Sequence, residues 1–391
     1  VLAAGLRPSF PFLVLAVLLV AGRSFRPAST FDDPLAACDP PAASLRPPGR
    51  ITEVALGSRA FAAFLAVVFI VLVVVVVPGN WEYTFTAGLV IAIILLSITV
   101  LTGMSGQISL CQAAFAAIGA FTAGQLATHF GTAVMIGALA GGVLAAIFGA
   151  FISLPGLRLG GIALALFTLS FALLCDNVLF QYSWSGNGAS GLIVPRPLII
   201  GIGFAGTRAF FFLALIVLTM TSAVVWLIQH GTLGEELAAL RSTEVGAASV
   251  GIDVRRMRII AFTLSAAIAG IGGGLYASLQ QTVSPTDFNY EFSLIFIVVV
   301  ATIGVYSITG AIAAGLAYTT IQQLISNLPS RYNSLLALIF GLAAATYVRH
   351  PEGVVEYGRR WVLDRAEQFA HFLTRNDVPA DPTVSVGSRS N

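Results

Sequence analysis

Long apolar runs separated by short polar, glycine or proline breaks make up most of this chain. From residue 60 onward, ten runs are long enough to be membrane-spanning helices, which need about 20 mainly apolar residues each. Two of the runs are dense in glycine and alanine, which permits close helix packing, and the run at 311–326 is short enough to be re-entrant or tilted. The ten runs lie at about 60–78, 84–103, 107–128, 132–154, 161–182, 208–229, 257–280, 290–308, 311–326 and 334–348.

Composition agrees with this pattern, because 57% of the 391 residues are hydrophobic and only 10% are charged. We therefore predict an all-α fold, a polytopic transmembrane helix bundle of about ten spans. All 20 basic residues are arginine. Without lysine the chain lacks the phosphate-binding loop that ends in Gly-Lys-Ser/Thr and has no Schiff-base lysine, so any nucleotide hydrolysis must occur on another polypeptide.

Cysteine and histidine usage gives no sign of a metal, a cofactor or a disulfide framework. Cys38, Cys111 and Cys175 are isolated, and the four histidines have no ligand spacing. Nothing in the sequence points to nucleic acid. The chain divides into an apolar tail at 1–22, a Pro- and Arg-rich disordered linker at 23–59, a membrane domain at 60–350 and a cytoplasmic tail at 351–391.

The longest charged segment between two apolar runs is Gly231 to Arg258. Its start predicts a capping box, with Thr232 as the N-cap, Glu235 reaching back, and Glu235 and Glu236 favoured by the helix dipole. Leu233, Leu237 and Leu240 form one apolar face. Arg241 and Glu244 are spaced to pair, Gly251 suits the position after the helix end, and the water boundary is expected at Arg255, Arg256 and Arg258. Two interpretations remain: an amphipathic helix on the lipid surface, or a docking helix for a cytoplasmic subunit.

The arginines also predict the orientation of the spans, because cytoplasmic loops retain basic residues. If 230–256 is cytoplasmic, strict alternation places most loop arginines on the same side, with Arg196, Arg208 and Arg331 as exceptions. Both ends of the 60–391 region are then cytoplasmic.

Polar side chains within the spans are few. Ser105, Gln107, Ser109 and Gln112 follow two helix-weakening glycines, and irregular backbone at membrane depth is tolerated only when it is buried in protein or lines a wet cavity. These side chains either hydrogen-bond between helices or line a pathway. Asp176, beside Asn177, is the one carboxylate well inside a predicted span, which favours a functional role unless it simply reaches water.

Residues of about 80–355 resemble the LivM-type permease subunit of branched-chain amino acid ABC importers. The resemblance lies in GQISLCQAAFAAIGAFTAG (106–124), LPGLRLGGIALALFTLSFA (154–172), SGNGASGL (185–192), the long stretch at 233–277, SPTDFNYEFS (284–293) and HPEGV (350–354). The sequence departs from the family pattern at Cys111, at 160–163 and at 301–304, which lie near the expected pathway and not in the coupling helix.

The resemblance implies a multi-pass permease in a bacterial plasma membrane, with a cytoplasmic coupling helix at 232–250. Implied partners are cytoplasmic ATPase subunits, a second, LivH-like permease half and an extracytoplasmic substrate-binding protein. The tail at 1–22 would suit the end of a LivH-like half in a fused permease. Pathway residues are expected at Gln107, Ser109, Gln112, Thr168, Ser170, Asp176 and Asn177. The alternatives are a urea or short-amide permease of the same family and, in a different class, a proton-coupled secondary transporter.

Overall fold

The structure, a computed structural model, describes residues 79–130, 134–157, 159–181, 191–194, 198–199, 202–203 and 206–327, with a few single positions elsewhere. The predicted runs at 60–78 and 334–348 lie outside this part. So do the linker, the C-terminal tail and, apart from isolated positions, the N-terminal apolar tail.

The described residues are mainly α-helical. The helices are α1 Gly79–Ile98, α2 Gln112–Phe130, α3 Val134–Gly156, α4 Gly161–Leu174, α5 Thr207–Gln229, α6 Thr232–Ser242, α7 Glu244–Ser249, α8 Val254–Gln280, α9 Tyr290–Gly304 and α10 Ile308–Ser326. Short π-helical turns extend α1 (Thr99–Met104) and α4 (Cys175–Leu179), and a 3-10 turn at Pro285–Phe288 precedes α9.

In the described part of the chain, strands are confined to two-residue pairs. β1 (Leu192–Ile193) pairs antiparallel with β4 (Thr282–Val283), with Leu192 opposite Val283. β2 (Leu198–Ile199) pairs antiparallel with β3 (Ile202–Gly203). The predicted all-α class is therefore confirmed.

Each predicted apolar run within the described part coincides with a helix. Seven helices there are long and apolar enough to cross a membrane, and α2 is not among them. The predicted run at 107–128 begins too early, because the helix starts only at Gln112 and residues 106–111 are not helical. The total of ten spans stays a prediction.

Helices α1 and α8 form the centre of the bundle. α8 packs against α3, α2 and α1, while α1 also packs against α10 and α5. From Val90 to Leu96, the α1 side chains are almost completely buried. A transmembrane helix so enclosed by protein has little contact with lipid, so its side chains serve packing and internal hydrogen bonds.

Glycine brings α2 and α8 into backbone contact. A Cβ atom on Gly119 of α2 would lie 2.0 Å from the carbonyl oxygen of Gly270 on α8. One on Gly273 would lie 1.8 Å from the carbonyl oxygen of Ala116. Small residues drive helix association in membranes because they allow such close van der Waals contact. The glycine content of the 107–128 run is thus used where α2 crosses α8.

Contacts place successive helices in alternating directions. At one end of the bundle, the Arg241 end, residues 232–258 lie beside Gly103 and Leu157, and Gly103 lies against Val305. At the other, the Gln280 end, the Tyr83 hydroxyl hydrogen-bonds the Gln280 side chain, and Arg208 lies 3.6 Å from Glu82. This alternation is the one expected from the arginine pattern.

The close contact between Gly119 of α2 and Gly270 of α8 can be tested by substitution. Gly119→Ala should destabilise the folded protein by about 1–3 kcal/mol, because overpacking forces α2 and α8 apart. The measurement is the thermal midpoint by size-exclusion chromatography in detergent. Gly124→Ala on the same helix is the control, since its Cβ would meet only side-chain atoms of Leu192 and Val194 at 3.3 Å or more. Equal midpoints for the two variants would contradict the packing argument.

Candidate functional site

Helices α6 and α7, hereafter the docking helices, leave the bundle at the end of α5 and return at the start of α8. Leu237 and Leu240 are buried and Leu233 is half-buried. The predicted apolar face of this segment is therefore confirmed, and it packs toward the membrane helices. Glu235 is exposed and Glu236 partly so, which leaves an acidic first turn on the outer side.

The docking segment is two helices and not the single predicted helix at 232–250. Thr243 is extended (φ −155°, ψ 132°) and separates them. Its Oγ1 accepts a hydrogen bond from the Gly246 amide at 3.0 Å, so Thr243 is the N-cap of α7. The predicted capping box is wrong, because Gly231 occupies the N-cap of α6 and Thr232 is its first helical residue.

Gly251 ends α7, as predicted, in a left-handed conformation with φ +91°. Its amide donates to the Ala248 carbonyl at 3.1 Å, and the Ile252 amide donates to the Ala247 carbonyl at 3.0 Å. This pair of bonds is the Schellman arrangement, which satisfies carbonyls at a helix end. Asp253 then caps α8 by accepting from the amides of Arg255 and Arg256.

Arg241 and Glu244 do not pair, contrary to the prediction, because each has a partner outside the docking helices. The Arg241 Nη1 donates to the Gly103 carbonyl at 3.0 Å. Its guanidinium carbon lies 3.9 Å from the centroid of the Tyr306 ring, within cation–π range. The extended residue Thr243 breaks the helical spacing that an Arg241–Glu244 pair would need.

Arg258 is the partner of Glu244, and it is buried. Its Nη2 contacts the Glu244 carboxylate, and its Nη1 donates to the carbonyls of Leu157 at 3.1 Å and Leu159 at 3.3 Å. Only 6% of Arg258 is exposed. Of the three arginines predicted to mark the water boundary, Arg255 and Arg256 are exposed and Arg258 belongs to the interior.

Residues 106–111 form a non-helical segment between the π turn after α1 and the start of α2. Gly106 has φ +72°, and a Cβ there would lie 3.0 Å from Cγ of Arg241. The irregular backbone predicted for this stretch is confirmed. Buried irregular backbone needs hydrogen-bond partners from neighbouring helices.

Neighbouring helices supply several such partners. The Leu110 amide donates to Thr168 Oγ1 on α4 at 2.9 Å, and the Ala113 amide donates to Ser293 Oγ on α9 at 3.0 Å. Within the segment, Ser109 Oγ lies 3.1 Å from Cys111 Sγ. Thr168 therefore acts on the segment directly, as a member of the same polar cluster.

Gln112 joins three helices at the start of α2. Its Oε1 accepts from Ser97 Oγ and its Nε2 donates to Ser265 Oγ, each at 3.0 Å. Ser265 Oγ in turn donates to the Ser97 carbonyl at 2.8 Å. All three residues are buried, so this closed set of bonds fixes α1, α2 and α8 relative to one another.

Gln107 differs from these residues. Only 8% of it is exposed, yet neither Oε1 nor Nε2 has a hydrogen-bond partner among the described residues. Its backbone carbonyl accepts from Thr102 Oγ1 at 3.0 Å, which fixes the main chain while the amide head group keeps its hydrogen-bonding capacity. A buried, unpaired amide is costly in a membrane protein, which makes it the strongest candidate contact for a polar solute.

The remaining candidates are not brought into this cluster. Ser170 Oγ donates to the Leu166 carbonyl, and Asn177 Nδ2 to the Leu173 carbonyl, each within its own helix. Asp176 is half-buried, and its carboxyl group lies toward the backbone N–H of Tyr290, the first residue of α9. A carboxylate at a helix start is favoured by the exposed amides and the helix dipole, which gives Asp176 a structural interpretation beside the functional one.

Comparison with known proteins gives the family. The sequence model of the family described as "Branched-chain amino acid transport system / permease component" matches residues 80–345. The chain belongs to this family. The permease is 27% identical over 298 residues to the high-affinity branched-chain amino acid transport system permease protein LivM of Escherichia coli (strain K12), and 26% identical over 298 residues to the LivM protein of Salmonella typhimurium. Each alignment covers 70% of this chain and 69% of the relative. No solved structure matches the permease.

Sequence reasoning missed four residues of the permease that complete these sites. Ser97, Ser265 and Ser293 lie in apolar helices with no local pattern to mark them, because their partners are more than ten positions away along the chain. Arg258 carried a weak signal, since it lies one helical turn inside α8 beyond Asp253. Among the described residues, no group of three His, Cys, Asp or Glu side chains could hold a metal ion.

The true cap of α7 can be tested by amide hydrogen exchange. Thr243→Ala should weaken α7 by about 0.5–2 kcal/mol, which raises the exchange rates of its amides roughly 2- to 30-fold. Thr232→Ala is the control, because Thr232 is exposed and is not a cap. This substitution should change the amide exchange rates of its own helix, α6, far less. Equal effects from both substitutions would restore the capping role of Thr232.

Proposed function

We propose that the permease is the membrane-spanning subunit of an ATP-binding-cassette importer for branched-chain amino acids. The observation that carries this proposal is the pair of docking helices, which stands outside the spans and is capped at its break and at its end. Family membership and the printed names of the two relatives support the substrate class. The chain itself is a transport subunit, and ATP hydrolysis takes place on separate subunits.

The outer surface of the docking helices suits a protein partner. Val245 is 63% exposed and Val250 is 81% exposed, and the docking helices also carry the exposed, charged Glu235 and Arg241. Apolar side chains beside charges are typical of the core and rim of a protein interface. Cytoplasmic ATPase subunits are the proposed occupant, with Thr232, Glu235, Glu236, Arg241, Glu244 and Gly251 as the segment that shapes the contact. The lipid-surface alternative is disfavoured because the leucine face packs on the bundle.

A charged residue introduced on this surface tests whether the ATPase subunits bind there. Val245→Asp should reduce co-purification of the co-expressed ATPase subunits roughly tenfold or more, because an interface core tolerates an unpaired charge poorly. The thermal midpoint should not change, since Val245 is exposed. Ile193→Asp is the matched control, as Ile193 is 74% exposed at the opposite end of the bundle. Unchanged co-purification of the ATPase subunits with Val245→Asp would contradict the proposal that they bind this surface.

The substrate pathway is proposed to pass the non-helical segment. A branched-chain amino acid carries a carboxylate, an ammonium group and an apolar side chain, and the Gln107 amide supplies one acceptor and two donors toward such a solute. Ser109, Gln112 and Thr168 hold the segment in place. Ser170, Asp176 and Asn177 are proposed only as polar lining further along α4. Transport then follows alternating access between this chain and a second, LivH-like half.

The two alternatives are separated by different observations. A urea or short-amide permease would use the same Gln107 amide, and competition of leucine against urea in an uptake assay distinguishes the two substrates. A proton-coupled transporter would need a carboxylate that binds and releases protons during transport. Asp176 is the candidate, and its interaction with the start of α9 favours a fixed role over a cycling one.

Two substitutions test the pathway together. Gln107→Leu should lower ATP-dependent leucine uptake at least about tenfold, because it removes the donors and the acceptor while keeping the side-chain volume similar. Asp176→Asn should retain ATP-dependent uptake that does not respond to a collapsed proton gradient. Normal leucine uptake by Gln107→Leu would show that the substrate pathway does not depend on Gln107. Loss of uptake by a well-assembled Asp176→Asn variant would favour the proton-coupled class.

The proposed setting is a bacterial plasma membrane, with the Arg241 end of the bundle and both ends of the 60–391 region on the cytoplasmic side. An extracytoplasmic substrate-binding protein would then meet the Gln280 end, where β1 and β4 pair. The arginine pattern and the bacterial relatives support this orientation. The division of residues 1–59 into an apolar tail and a linker stays a prediction.

A further inference from the structure

Two arginines connect the docking helices to two different groups of membrane helices. Arg241, at the end of α6, reaches the π turn after α1 and the residues after α9. Arg258, at the start of α8, joins Glu244 of α7 to the junction between α3 and α4. The docking helices are therefore held at two separate points.

The Arg241 connection leads to the beginning of the non-helical segment. Gly103, whose carbonyl accepts from Arg241, is packed so tightly that a Cβ there would lie 2.2 Å from the Val305 carbonyl oxygen. Three residues later, Gly106 lies against the Arg241 side chain and begins the segment. A shift of Arg241 thus acts on Gly103 and Gly106 without any intervening flexible element.

The Arg258 connection leads toward the other end of the segment. The Leu159 carbonyl, which accepts from Arg258, immediately precedes Gly160, the N-cap of α4. Two helical turns further, Thr168 accepts from the Leu110 amide. Helix α4 therefore links the Arg258 contact to the segment just before α2 begins.

From these contacts we infer that Arg241 and Arg258 are positioning residues that transmit a movement of the docking helices to the two ends of segment 106–111. This inference rests on the proposed function. The segment is suited to the task because its two ends are held differently: the amides of Gly106 and Gln107 donate to carbonyls of the π turn that extends α1, whereas the Leu110 amide donates to the Thr168 side chain of α4. Gln107 lies within it, so a changed backbone would change the presentation of its buried side-chain amide, neither atom of which has a partner among the described residues.

The chemistry of the two connections differs in a useful way. Arg258 is buried and forms charge-assisted bonds to a carboxylate and two carbonyls, which fix its direction. Arg241 forms one charge-assisted bond and a cation–π contact, and the residue as a whole is exposed. A rigid-body shift of the docking helices would push α4 through the Arg258 contacts. Through the Arg241 contacts, the same shift would rearrange the backbone at Gly103.

Cys111, at the end of the segment, offers a direct readout that does not depend on transport. It is fully buried, so its alkylation by N-ethylmaleimide reports opening of the segment. The test uses the permease with its second half and ATPase subunits in phospholipid vesicles, in a Cys38→Ser/Cys175→Ser background. Alkylation rates are measured without nucleotide and with ATP plus orthovanadate, and leucine uptake is measured in parallel.

In the parent protein, trapped nucleotide should change the Cys111 alkylation rate about fivefold or more. Arg241→Met and Arg258→Lys should each reduce that change to less than about twofold while ATP hydrolysis continues, which is uncoupling. Tyr306→Leu supplies a milder variant that removes only the cation–π contact. Arg255→Met and Arg256→Met are the matched controls, because these exposed arginines of the same region should leave the nucleotide response intact.

The outcomes separate the inference from the proposed function. If the parent shows no ATP-dependent leucine uptake and no nucleotide response at Cys111, the proposed function and the inference fall together. If the parent transports leucine but Arg241→Met, Tyr306→Leu and Arg258→Lys all keep its full nucleotide response, only the transmission is overturned. Loss of the response in the Arg255 and Arg256 controls to the same extent would also overturn it, since the effect would then not depend on the two connections.

Discussion

A backbone polar group without a partner in the membrane interior costs several kcal/mol, and this constraint governs the structure around residues 106–111. The segment gives up helical hydrogen bonds at a buried position. It persists because the Gly106 and Gln107 amides donate to carbonyls of the π turn that extends α1, and Thr168 accepts from the Leu110 amide. Ser293 likewise accepts from the Ala113 amide in the first turn of α2. Side chains of α4 and α9 thus replace bonds that a continuous helix would have formed within itself, and the segment becomes dependent on where those helices lie.

Close packing makes this replacement of helical hydrogen bonds by side-chain hydrogen bonds feasible. A serine or threonine hydroxyl reaches only a few ångströms from its own backbone, so the helices whose serines hydrogen-bond Gln112 must approach closely. Gly119 and Gly270 allow that approach between α2 and α8, and Gly103 allows it between the π turn and Val305. The glycines therefore matter for function through the polar cluster that they bring within hydrogen-bond distance.

The sequence was informative where a pattern is local and less so where partners are distant. Apolar runs predicted the described spans, and the spacing of Leu233, Leu237 and Leu240 predicted the buried face of α6. Gly251 was recognisable because only a left-handed residue ends such a helix easily. The Thr232 capping box failed because Gly231 can also cap. The partner of Glu244 was hidden, since Arg258 lies 14 positions away and meets it only after the chain turns back at Gly251.

The use of arginine as the only basic residue fits the geometry at the Arg241 end. A guanidinium group presents five donors in a plane, so Arg258 contacts one carboxylate and two carbonyls at once, and Arg241 donates to a carbonyl while its flat face stacks on Tyr306. A lysine ammonium is a strongly hydrated point charge that cannot reproduce this planar arrangement. The same residue type thus serves two purposes. Exposed arginines such as Arg255 and Arg256 are predicted to mark a membrane boundary, whereas Arg241 and Arg258 join the docking helices to the spans.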